Sequence, residues 1–482
     1  MDTYNCNCKD IAITEEIFGE IYAESPRDKI RYDSKKYYED AEGKELRLVP
    51  VKSYTMVNKN RMEIVVISWG ATIVSLKYPD KFGSVADVVL GFDDLKSYTN
   101  PRINPFIGCI LGRCANRIRN GSVIIKDKIY QLTRNDLGKH HLHGGTKGFG
   151  RRLWESRIDS CSVVMTYLSE DGEEGYPGAV LSTVRFKLTP DNKLEIGIRA
   201  TTTDSTIVNI SHGSLFNLAG HDAGKKELMK HEISLNCDRW TFADYMDPIP
   251  TGSIRGVGGT IMDLRVPRLL ENCIEKVPPG EGYDHNFCVT PNWHGGTAYV
   301  ARAVHPKSGR VLEVYSNQPG VQFYTGGRLC NTFEADSNIA IKYNNPNHEG
   351  EEYKEEESIT DRTEQDVILE QDVIPEQVII PEQDVIPEQD VISEQDVIPE
   401  QDVIPEQDVI PEQDVIPEEK SLEFISGKQN ARYMKHCAFS IQPQNYPNAI
   451  NYPHFPCSIL RPGEIYRHDL IYKFGIQLAN YM

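Results

Sequence analysis

The stretch RMEIVVISWGATIVSLKYPD (Arg61–Asp80) narrows the possible folds more than any other part of the chain. β-Branched residues crowd it and Gly70 interrupts it, so it reads as two strands meeting at a bend or bulge. The signature recurs downstream. Ala86–Phe92 is a short apolar run, and Gly121–Leu132 reads as a hairpin turning at Lys126-Asp127-Lys128. Cys161–Leu168 and Val180–Thr203 follow, the latter with a TPDNK turn at its centre. His231–Phe242 and Tyr299–Asn317 continue the theme, the last with Pro-Lys-Ser-Gly at its tip. Long amphipathic helical windows are almost absent. Strands at roughly regular spacing, joined by Gly, Pro and Asn turns, specify an all-β fold, a large antiparallel β sandwich.

One segment belongs to no core. Nine six-residue units of the type EQDVIP run from Glu364 to Pro417. A proline in almost every unit blocks helix interiors and central strands, and the acidic pairs repel one another. An extended or disordered spacer is expected. The globular pattern resumes at His436, which makes the repeat an insertion within one domain, and a surface loop tolerates such length because closure entropy grows slowly. The expected organisation is a loosely ordered extension over 1–45, one sandwich over 46–330 and 431–482, and an inserted acidic loop over 331–430.

The formal net charge of −19 is concentrated in that insert, since Glu349 to Lys420 alone carries about −23. The remainder is near neutral or slightly positive and has no sustained basic patch, which argues against nucleic acid as a partner. The N-terminus MDTYNCNCKDIAITEEIF lacks a basic region followed by an apolar one, and no run is long enough for a membrane helix. Eleven cysteines, an odd number with no CxxC pair, suit reduced thiols better than a disulfide framework. Cytoplasmic residence is the expectation.

Between Gly112 and Phe149 the chain gathers Arg113, Asn116, Arg117, Arg119, His140, His141 and His143 amid apolar β sequence. Burying unpaired polar groups is costly, so a density of this kind indicates either a basic surface turn or a concave polar floor for a hydroxyl-rich ligand.

Ordered motifs decide between them. WGATIVSLKYPD, DVVLGFDDLKSY, GRCANRIRNG, HLHGGTKGFGRRLW, DGEEGYPG, NISHGSLFNLAG, GYDHNF, SGRVLEVYSNQPGVQFYTG and PQNYPNAINYPHFPCSILRPGE together resemble the aldose 1-epimerases, or galactose mutarotases. The resemblance covers roughly 50–330 and 432–475. It implies a β supersandwich with a shallow sugar-binding cleft, and neither metal nor organic cofactor. It implies a reaction in which a Glu base takes the proton of the anomeric hydroxyl while a His acid protonates the ring oxygen. The ring then opens, C1 rotates and closure gives the other anomer, each proton transfer contributing about 10²–10⁴-fold.

Carried over residue by residue, the resemblance divides. The substrate-binding positions are present as Asn116, Arg117, His143, Asp284 and Gln322. The catalytic positions are substituted. In Ile441-Gln442-Pro443-Gln444-Asn445-Tyr446-Pro447 the base position holds Gln442, an amide with no usable proton affinity near pH 7. Anchoring on Phe216-Asn217-Leu218-Ala219-Gly220 places Gly213 at the acid position. His212 precedes it by one residue. On a strand that offset turns the imidazole to the opposite face unless a bulge at Gly213 brings it round.

The implied function is binding of galactose- or glucose-type hexopyranoses with anomer interconversion weak or lost. Two alternatives stand beside it: an active epimerase of hexose metabolism using His212 as acid, and a docking protein that captures a protein partner through the acidic repeat.

Overall fold

The computed structural model describes residues 10–22, 37–39, 45–243, 247–292, 294–330 and 423–478. The expected turns close where their chemistry demands. Glu63–Ile67 and Thr72–Pro79 pair across Gly70, whose φ of +66° suits glycine. Ser122–Ile125 pairs with Lys128–Gln131 through Lys126 and Asp127, both at positive φ, as a tight hairpin turn requires. Val180–Leu188 runs back against Lys193–Thr202 across the TPDNK turn, and Ala298–His305 against Arg310–Ser316.

Three antiparallel sheets carry the architecture. The largest has nine strands in the order Glu155–Asp159, Ser162–Ser169, Val180–Leu188, Lys193–Thr202, Tyr466–Ile476, Arg310–Ser316, Ala298–His305, Glu232–Leu235 and Arg268–Leu269. The C-terminal strand Tyr466–Ile476 therefore lies mid-sheet, paired on both sides. A six-stranded sheet contains Glu45–Asn58, Glu63–Ile67 and Thr72–Pro79. A five-stranded sheet runs Pro250–Gly256, Cys237–Ala243, Asp284–Val289, Gly320–Tyr324 and Ser440–Gln444. Helix is confined, among the described residues, to short segments such as Leu95–Thr99 and Gly224–Leu228. The all-β expectation holds.

Alternation builds the core. Along Val180–Leu188 every second side chain is buried, so Val180, Val184 and Phe186 join Ile196, Ile198, Leu470 and Phe474 in one cluster with Ile64, Val66 and Leu76 of the six-stranded sheet. Each such side chain stabilises the fold by about 1.5–3 kcal/mol.

Four expectations need correction. Within the extension expected over 1–45, Ile11–Tyr22 is a twelve-residue strand paired with Glu45–Asn58, and it buries Ile11, Ile13 and Ile21. His231–Phe242 is not one strand. Glu232–Leu235 belongs to the nine-stranded sheet and Cys237–Ala243 to the five-stranded one. Asn236 makes the break, its backbone N–H donating to Val300 O and its side-chain amide to Tyr299 O. The insert is shorter at its end than expected, because residues 423–430 are part of the fold. Ile425 is buried there, and Lys428 donates to Asp87 at 2.6 Å and to the carbonyls of Val74 and Val89 at 2.9 Å. The fourth concerns the thiols: Cys161 is disulfide-bonded, while the eight other described cysteines are free. The repeat Glu364–Pro417, and with it the docking role assigned to it, lies outside the described residues.

Candidate functional site

The five-stranded sheet presents two chemically distinct faces because its strands alternate. His285, Phe287, Val321, Phe323 and Ile441 point one way, and Asp284, Asn286, Gln322, Ser440, Gln442 and Gln444 the other. Register places Asn286, Gln322 and Gln442 side by side on three adjacent strands. A row of neutral amides thus forms, with Asp284 beside it.

Asp284 is the charged centre of this face. Its Oδ1 accepts the Gln322 amide at 2.7 Å, and its Oδ2 lies 3.7 Å from the Arg117 guanidinium. Burial pushes its pKa up, but the Arg117 charge and the Gln322 amide outweigh that, and the net shift is downward. Arg117 is pinned from the far side by Asp136, whose Oδ2 accepts its Nε–H at 2.6 Å. Burial would lower the arginine pKa, yet the two carboxylates raise it. Charge-assisted bonds of this kind fix orientation strongly.

Asn116 and His143 hold each other. The Asn116 backbone N–H donates to His143 Nδ1 at 3.2 Å, and the His143 N–H donates to Asn116 O at 3.1 Å. Since Nδ1 accepts, the ring proton resides on Nε2, by assignment from this bond. Burial, then the nearby Arg117 charge, drives the His143 pKa down to about 3. The imidazole is therefore neutral at pH 7, with Nε2–H as its ring donor.

Gln442 and Gly213 are placed differently. Gln442 sits on the polar face, opposite Gln322, and donates its amide to Ser440 Oγ at 2.9 Å. Gly213 is fastened by backbone bonds to Gly108 and Cys109, each 2.9 Å. A Cβ there would lie 3.0 Å from Phe106 O, and the Phe106 ring in turn packs on His143 at 5.6 Å. His212 faces elsewhere. It pairs with Ile110, is fully buried, and its ring packs edgewise on Tyr472 of the large sheet at 6.1 Å. Burial lowers its pKa to about 3.

The structure thus sets Asp284, Gln322 and Gln442 on one face of the sheet with Arg117 against Asp284, joins Asn116 to His143, holds Gly213 close to Phe106, and buries His212 in the core. Other polar residues of Gly112–Phe149 are consumed internally. Arg113 is buried and donates to Ser169 Oγ and to the carbonyls of Ser169, Glu170, Pro177 and Gly178. His141 bridges Thr133 O and the Tyr176 hydroxyl. His140 and Arg119 meet Asp247 at 3.0 and 3.2 Å. Asp136, Asn286 and Ser440 were not foreseen; no local pattern marks them, and only folding brings them to the site. Among the described residues no group of three or more His, Cys, Asp or Glu side chains is arranged to hold a metal ion. No described helix is long and apolar enough to cross a membrane.

The chain is similar to known proteins in sequence and in fold. A galactose mutarotase from Bos taurus is 32% identical over 420 residues, covering 87% of this chain and 93% of the relative. One from Homo sapiens is 32% identical over 415 residues, covering 86% and 92%. Among solved structures, an aldose epimerase homologue from C. elegans superposes with a TM-score of 0.61 at 23% identity, covering 87% of this chain and 97% of that one. The galactose 1-epimerase from Lactobacillus acidophilus gives 0.59 at 19%, covering 92% and 98%. The aldose 1-epimerase family model matches residues 52–364 and 413–473. The chain belongs to the aldose 1-epimerase family.

Proposed function

We propose that the polar face binds a hexopyranose of the galactose or glucose type, and that interconversion of its anomers is weak or lost. The binding half is supported by a set of directional hydroxyl partners: the ionised Asp284, the Arg117 guanidinium, the Nε2–H of His143, and Gln322. The Gln322 Oε1 is buried without a hydrogen-bond partner, an acceptor available to a sugar hydroxyl. The names of the mammalian relatives point to the same ligand class.

The observation that carries the loss of turnover is Gln442. Ring opening needs a group that takes the anomeric proton, and an amide at that position donates and accepts hydrogen bonds without binding a proton near pH 7. Its neighbours do not compensate. Asp284 is held below the usual carboxylate range, and His143 and His212 are both driven to about 3. Such a site orients and desolvates a sugar while leaving ring opening to water. The eight free cysteines among the described residues favour a reducing compartment such as the cytoplasm, and the Cys161 disulfide weighs against it.

Titration calorimetry with D-galactose and D-glucose, paired with polarimetry of freshly dissolved α-anomers, tests both halves. Saturable heat together with mutarotation no faster than the buffer blank is the expected result. Absence of binding at tens of millimolar sugar would sink the binding half, and rapid mutarotation the other.

A further inference from the structure

The imidazole of His143 sits at the head of a turn, HGGTKGF, that forms no regular structure of its own. Three glycines there take positive φ, Gly144 at 90°, Gly145 at 111° and Gly148 at 50°, and His143 itself lies at 53°. A turn in this conformation leaves its amides to be satisfied from outside. Glu174 satisfies them. Its Oε1 accepts the N–H groups of Lys147 at 2.9 Å and Gly148 at 3.3 Å, and its Oε2 that of Thr146 at 3.3 Å. Successive backbone N–H groups converging on one carboxylate form an anion-binding nest, here filled by a side chain of the same chain. The fit is close: a Cβ on Gly145 would lie 2.2 Å from Glu174 Oε2.

Glu174 is itself held. Its backbone carbonyl accepts the Thr133 N–H at 3.1 Å, and Arg113 and Tyr176 tie the surrounding DGEEGYPG loop to the residues flanking the floor. On the other side of the turn, Arg151 donates to Thr146 O and stacks on the Phe106 ring, which packs on His143. The turn is therefore gripped through its amides by Glu174 and through a carbonyl by Arg151, with His143 at its head.

We propose that Glu174 is a positioning residue for His143: its carboxylate gathers the Thr146, Lys147 and Gly148 amides and so fixes the turn that aims the imidazole Nε2–H into the cleft. This rests on the reading of the cleft as a sugar site, but the link from Glu174 to His143 is testable without sugar. The full chain is compared with Glu174→Ala, Glu174→Gln and Glu174→Asp. Two measurements need no ligand: amide hydrogen exchange at residues 146–148 and the ¹⁵N signals of the His143 ring, which report its tautomer. The third is D-galactose affinity by calorimetry. In Glu174→Ala the three amides exchange at least about tenfold faster, the ring signals move toward a tautomer mixture, and affinity falls about tenfold, the worth of a charge-assisted bond. Glu174→Gln, which keeps one acceptor, recovers part of each. Should Glu174→Ala fail to fold, Glu174→Gln carries the comparison with smaller changes of the same sign. Unchanged His143 ring signals in a folded variant overturn the proposal. If the unaltered chain binds no galactose, the sugar reading falls while the exchange and ring-signal measurements still decide the role of Glu174.

Discussion

Gln442 lies directly opposite Gln322 on the neighbouring strand, and each turns its amide N–H to a different partner, Gln322 to Asp284 at 2.7 Å and Gln442 to Ser440 at 2.9 Å. The polar face is therefore built around a carboxylate already engaged with Arg117, while position 442 holds an amide occupied by a hydroxyl.

Replacing that amide is the first prediction. Gln442→Glu restores a proton acceptor on the polar face, and mutarotation measured by polarimetry should rise by about 10²-fold or more, the usual worth of a general base. Gly213→His is the harder half of the restoration. Its Cβ would press to 3.0 Å on Phe106 O, so this change alone should cost about 1–3 kcal/mol in urea unfolding. An unchanged rate in Gln442→Glu would show that the base belongs elsewhere.

Asp284→Asn keeps the shape but removes the charge that faces Arg117. Galactose affinity should fall about tenfold or more by calorimetry, because a charge-assisted bond becomes a neutral one. The variant should stay folded, since Asp136 still holds Arg117 at 2.6 Å.

Four fully buried histidines make folding sensitive to acid. Burial lowers His141 and His468 to about 4 and His212 and His231 to about 3. Between those values and the ordinary histidine pKa of about 6.5, the unfolded chain binds protons that the folded chain refuses. Stability is thus fully present above about pH 6.5 and declines as pH falls, each histidine contributing about 1.4 kcal/mol per pH unit. Urea midpoints measured from pH 7.5 to 4.5 should drop steeply below 6.5. A flat profile would refute the burial argument.

Lys428 anchors the chain as it returns from the insert. Lys428→Met leaves Asp87 half of a buried ion pair, and the expected loss is about 3–5 kcal/mol in urea unfolding. Excising Glu364–Pro417, by contrast, should alter that free energy by less than about 1 kcal/mol, because loop closure depends only weakly on length.

Local chemistry explains what was legible. The hairpins at Lys126-Asp127 and TPDNK, and the break at Gly70, follow from turn residues and β-branched runs that act over a few positions. Gln442 and Gly213 could be singled out because short motifs flank them. The strand at Ile11–Tyr22 is not legible locally because Glu15, Glu16 and Glu20 and the exposed Ile17 break a simple apolar alternation, and only its pairing with Glu45–Asn58 selects it. The break at Asn236 is hidden for a related reason. The apolar run continues through it, and which sheet each half joins depends on partners such as Val300, far along the chain.

By itself, then, the sequence determined the strand-rich class, the turns, the acidic insert and the chemical identity of each candidate side chain. Those follow from propensity and period, which are local. Only the tertiary structure decided that Asp136 would grip Arg117, that Asn286 and Ser440 would join Gln322 and Gln442, and that His212 would turn toward Tyr472. These relations depend on register between strands distant in sequence, where a shift of one residue reverses every face.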